Sequence, residues 1–142
     1  MKTMFGLALA FAVGALATGT ARAEGHEGPH KGIVVEWGEE EYHPEIVVDA
    51  KTGTVTVYVY GGEDDLKKAK FKPIEAKTLT LALKSNPAVT VKLEAAPEKD
   101  DPKDKSSKFV GKNDIFMKEM KWAGTLSGKI GTKPYSGDFK QK

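Results

Sequence analysis

The chain has 142 residues, enough for one domain, and carries 22 basic residues against 20 acidic ones. A near-neutral surface with interspersed charge argues against nucleic acid as a partner. With no cysteine, neither a disulfide nor a lipidated N-terminal cysteine can form, so the fold must rest on its core.

Lys2 supplies a basic start, Met4 to Ala17 an apolar run, and Ala21-Arg22-Ala23 an A-x-A cleavage site. This is the pattern of a secretory signal peptide over residues 1–23. The apolar run is too short for a membrane helix, which needs about 20 residues. The expectation is an exported protein, periplasmic or secreted, with no membrane anchor after cleavage. Losing Lys2 and Arg22 would take the 22 basic residues to 20, equal to the 20 acids.

Residues 24–32 hold three glycines and a proline, which suits a flexible arm and not a helix. A single β domain is expected over 33–142. Ile33 to Trp37 reads as a short apolar strand, Gly38 to Glu41 as an acidic turn, and Tyr42 to Asp49 as a second strand, with Pro44 marking an edge or a bulge. Gly53 suits the left-handed position of a hairpin loop. Thr54 to Tyr60 alternates cleanly: Val55, Val57 and Val59 point one way, Thr56, Tyr58 and Tyr60 the other. Gly61 to Lys72 reads as a charged turn. Leu79, Leu81 and Leu83 form one inward set, and Val89, Val91 and Leu93 another. Ala95 to Lys105 reads as a solvated loop, and Ser106 to Val110 as a short strand. Asn113 is placed to cap a helix over Ile115–Lys121 that buries Phe116 and Met120 at i, i+4 spacing. Leu126 to Ile130 and Tyr135 to Phe139 form a closing hairpin. Seven or eight short strands with frequent turns predict a mostly β fold, an antiparallel β-sandwich or open barrel with one short helix near the C-terminal third.

All three histidines, His26, His30 and His43, lie between Glu24 and Asp49. Cleavage after Ala23 would leave Glu24-Gly25-His26 behind a free amine. That amine, two deprotonated amides and the imidazole can wrap a square-planar ion, which selects Cu(II) or Ni(II). A cut after Gly19-Thr20-Ala21 would start the chain at Arg22 and remove this site. A second grouping would fold His26 and His30 together through the Gly28-Pro29 turn. His43 and Glu27 would join them around Zn(II), which takes four ligands. The competing reading leaves His30 packing the arm and His43 an ordinary strand residue. Met117, Met120 and Trp122 offer soft and aromatic groups to Cu(I), but residues of these types at this spacing more often belong to a core. The acidic stretches 39–41, 63–65 and 100–104 match no calcium-loop spacing and read as solvated turns. No Gly-x-Ser-x-Gly, phosphate loop or His-Glu-x-x-His is present, so a non-enzymatic role is expected.

Gly28-Pro29-His30-Lys31-Gly32, Glu41-Tyr42-His43 and the strand Val55 to Tyr60 carry a resemblance. Together they resemble small exported bacterial proteins and the N-terminal β domain found in some periplasmic adaptor subunits of heavy-metal efflux systems. Lys31 stands where that pattern often has glycine. The resemblance covers residues 28–95 and implies a β-sandwich accessory domain near metal handling, with a metal-efflux or envelope protein as partner. The chain lacks the adaptors' coiled-coil hairpin and lipoyl-like half. The expected function is a periplasmic binding or accessory module taking Cu(II), Ni(II) or Zn(II) through its N-terminal histidines. The alternative is a protein-interaction β domain without metal, using the Tyr58–Tyr60 face or an open strand edge.

Overall fold

The computed structural model describes residues 27–85 and 87–141. The signal-peptide segment 1–23 and the Glu24-Gly25-His26 group lie outside the described residues.

The described chain is mostly antiparallel β. In chain order the elements are β1 (Ile33–Val34), β2 (His43–Asp49), β3 (Thr54–Tyr60), α1 (Glu63–Lys67), β4 (Thr78–Leu83), β5 (Val89–Ala95), β6 (Lys108–Lys112), a 3-10 turn (Asp114–Met117), β7 (Ala123–Ile130) and β8 (Lys133–Lys140). The strands form one sheet in the order β1-β2-β3-β6-β5-β4-β7-β8, every neighbouring pair antiparallel. The sheet curls into a nearly closed barrel. At the gap, β8 comes against the segment after β1, where a Cβ on Gly137 would lie 2.5 Å from the Glu36 carbonyl oxygen. Only a glycine lets the two backbones approach that closely.

The two-residue alternation places the core. Val55, Val57 and Val59 are buried inside the barrel with Leu79, Leu81, Leu83, Val91 and Leu93, while Thr78 and Thr80 face solvent. Trp37 fills one end and donates its indole N–H to the Leu126 carbonyl at 3.0 Å. Phe116 and Trp122 close another part of the core, with ring centroids 5.2 Å apart. The Gly53 backbone is left-handed, with φ of 72°.

The helix is displaced from its expected place. Among the described residues the one α-helix is α1, inside the stretch read as a charged turn. Its acids Glu63, Asp64 and Asp65 stand at the N-terminal end and Lys67 at the other, the polarity that suits the helix dipole. Asn113 does cap, its Oδ1 accepting the Ile115 N–H at 2.9 Å, but what it caps is a single 3-10 turn. The turn ends at Lys118, whose backbone is extended. A short isolated helix nucleates poorly, and outside a helix the chain brings buried Phe116 and buried Trp122 into contact. Phe116 is buried as expected, whereas Met120 is 40% exposed. No helix among the described residues is long and apolar enough to cross a membrane.

Candidate metal centre

The hairpin formed by β1, its continuation and β2 builds the site. Ile33 pairs with Ile46 and Val34 with Glu45, and the same register runs on to a bridge between Trp37 and Tyr42. Glu36 is therefore opposite His43. Directly opposed residues on one face of a sheet hold their Cβ atoms about 5 Å apart. His43 and Glu45, two apart on β2, share the outer face.

The turn Gly38–Glu41 returns a second carboxylate to the same place. Gly38, Glu39 and Glu40 have φ of 63°, 56° and 70°, three consecutive left-handed residues of which only the first is a glycine. This unusual course brings one carboxylate oxygen each from Glu36 and Glu40 and one ring nitrogen of His43 within 4.8 Å of one another. His43 is 3% exposed, Glu36 half-buried and Glu40 exposed, so the group is open on one side. The His43 ring is fixed by Nδ1, 2.8 Å from the Gly61 carbonyl oxygen. A carbonyl only accepts, so Nδ1 carries the proton and neutral His43 keeps its lone pair on Nε2.

His30 belongs to a different constellation. Residues 27–32, the described end of the arm, form a turn: the Gly28 N–H donates to the Gly32 carbonyl and the Lys31 N–H to the Gly28 carbonyl. This turn lies over the outer face of β2 and covers Glu45, which is fully buried. The Glu45 carboxylate accepts the backbone N–H groups of His30 and Gly32, each at 2.8 Å. It also accepts the Tyr60 hydroxyl at 3.0 Å and meets His30 Nδ1 at 2.9 Å. The two glycines of the motif exist for this contact. A Cβ on Gly28 would sit 2.4 Å from the Glu45 carboxyl carbon, and one on Gly32 would sit 2.4 Å from the Ile46 carbonyl oxygen. The His30 ring stacks on Tyr58 at 4.0 Å, nearly parallel, and Phe71 packs against Tyr58 and Tyr60. Burial, and then the charge and hydrogen bond of Glu45, push the Tyr60 hydroxyl well above the usual phenol range, so it stays protonated and donates.

Of the expected ligands, then, His43 joins Glu36 and Glu40, and His30 joins Glu45 and Tyr60. The group found among the described residues includes neither His30 nor Glu27. Met117 and Met120 are exposed while Trp122 is buried against Phe116. The Tyr58–Tyr60 contact face is also corrected. Tyr60 is fully buried and Tyr58 is half-covered, because the arm and the segment after α1 lie over that side of the sheet. Glu36 and Glu40 escaped the sequence reading, although its own acidic turn between two strands already placed Glu36 across from His43.

No family model, no curated protein and no solved structure matches this chain.

Proposed function

We propose that the chain is an exported accessory module that binds a divalent transition metal on the outside of its barrel, through His43, Glu36 and Glu40. The observation that carries this reading is the convergence of those three donors within 4.8 Å around a buried, oriented imidazole. An imidazole whose other nitrogen is held by a backbone carbonyl is the usual arrangement of a metal-binding histidine. One nitrogen and two carboxylate oxygens form a donor set for Zn(II), with Ni(II) and Cu(II) as competitors. Three protein ligands leave a coordination position for water or for a donor from another molecule. A purely structural zinc site would be closed by four. An open, one-sided site suits a protein that takes up and hands over an ion.

Protein recovered through its own export route, with its N-terminus read by intact mass, tests the reading. Titration with Zn(II), Cu(II) and Ni(II) should give one equivalent at this site. Glu40→Gln, which keeps the shape of an exposed side chain, should weaken it at least tenfold. His26→Ala in parallel separates any site on the arm from this one. An affinity unchanged by Glu40→Gln and Glu36→Gln would overturn the assignment.

A further inference from the structure

The group that would hold the metal shares its turn with the contact that closes the barrel. Glu41, next to Glu40, reaches β8: its Oε1 accepts the Tyr135 hydroxyl at 2.9 Å and lies 3.7 Å from Lys133 Nζ. The Tyr135 ring stacks on Trp37 at 5.7 Å and meets the edge of Tyr42 at 5.3 Å. A Cβ on Gly38 would come 2.8 Å from the same ring, so the turn is packed directly on Tyr135. These contacts stand at the seam, where β8 pairs with β7 alone.

We propose that metal loading fastens this seam, so that the ion acts as a clasp between the β1–β2 hairpin and β8. The proposal rests on the metal reading above and adds what the bound ion does to the protein. Ligands about 2.1 Å from a Zn(II) ion stand roughly 3.4 Å apart in a tetrahedron. Donors up to 4.8 Å apart draw in by up to about 1.4 Å to share one. His43 is held on β2 by Gly61, and Glu36 lies within the hairpin register. The exposed Glu40 is the donor with room to move. Fixing Glu40 immobilises a left-handed turn that hydrogen-bonds back on itself through the Glu41 N–H and the Trp37 carbonyl. With its backbone held, Glu41 grips Tyr135 from a fixed position, and openings of β8 away from β1 become rarer.

Hydrogen exchange read by mass spectrometry, with and without Zn(II) alone as the added probe, tests this on the same exported protein. Zinc should slow exchange in peptides from β8 at least fivefold more than in peptides from β5, which stands far from the seam in the sheet order. Tyr135→Phe and Glu41→Gln should keep zinc affinity within about threefold yet lose the extra protection of β8. Zinc uptake that is sensitive to Glu40→Gln but leaves β8 exchange unchanged would overturn the clasp and spare the metal site. Extra protection that persists in both Tyr135→Phe and Glu41→Gln would overturn it too. Failure of the wild type to take up zinc would remove both.

Discussion

Replacing Glu45 by alanine removes the one acceptor beneath the N-terminal turn. Four contacts are lost: those of the His30 N–H, the Gly32 N–H, the Tyr60 hydroxyl and His30 Nδ1. The two His30 groups are only part-buried and can turn to water. The other two bonds are buried, and each stranded donor costs about 1–3 kcal/mol. Loss of the single Cγ methylene adds about 0.8 kcal/mol. We expect Glu45→Ala to destabilise by about 4–5 kcal/mol, within the range for breaking a buried charged contact and a large part of the roughly 5–15 kcal/mol that holds such a domain. Glu45→Gln keeps the shape but turns an amide N–H₂ toward donors, and should cost about 2–3 kcal/mol. Urea unfolding in the presence of a chelator measures this, followed by the fluorescence of Trp37 and Trp122. A double-mutant cycle with Tyr60→Phe should show coupling of about 1 kcal/mol or more. A loss under 1 kcal/mol for Glu45→Ala, or strict additivity with Tyr60→Phe, would refute the view that this carboxylate holds the arm in place.

Two further outcomes follow from the geometry. Tyr60 titrates higher folded than unfolded, so above about pH 10 the unfolded chain gives up this proton and the folded one keeps it. The stability advantage of wild type over Tyr60→Phe should therefore hold below pH 10. Above that it should shrink by up to about 1.4 kcal/mol per pH unit, as read by urea midpoints across that range. Gly124→Ala would put a Cβ 2.1 Å from the Ala82 carbonyl oxygen, a clash with backbone inside the β4–β7 ladder. It should lower stability by about 2 kcal/mol or more, whereas Gly62→Ala, with nothing within 4 Å of the added atom, should stay within about 1 kcal/mol.

The barrel's interior was legible because its signal is local. Val55, Val57 and Val59 in β3 and Leu79, Leu81 and Leu83 in β4 alternate with polar neighbours, and alternation survives whatever the strands pair with. The turn glycine at 53 and the cap at Asn113 were legible for the same reason. The covering of the outer face was not. Tyr58 and Tyr60 alternate like solvent-facing residues, and nothing within β3 announces that residues 27–32 and Phe71 will lie over them. Glu45 looked like a polar strand position, since its partners are 13 and 15 residues away. The helix was misplaced because Phe116 and Met120 have helical spacing, while the core contact that Phe116 makes with Trp122 leaves no period in the sequence. Of the three converging donors only His43 was visible; Glu36 needed the hairpin register to be carried through the acidic turn, and Glu40 arrives by a left-handed course that its residue types do not announce.

The ladder between β5 and β6 is short, matching only Glu94 with Val110 and Ala95 with Phe109. Together with the β1–β8 gap, it divides the wall into two four-stranded shells, β1-β2-β3-β6 and β5-β4-β7-β8. Neither shell is a continuous piece of chain. The first takes its fourth strand from residues 108–112, and the second is drawn from residues both before and after them. The polypeptide is braided between its two walls. A truncation that spares one wall whole therefore always carries off strands of the other, so that neither wall can be cut out as a unit of its own.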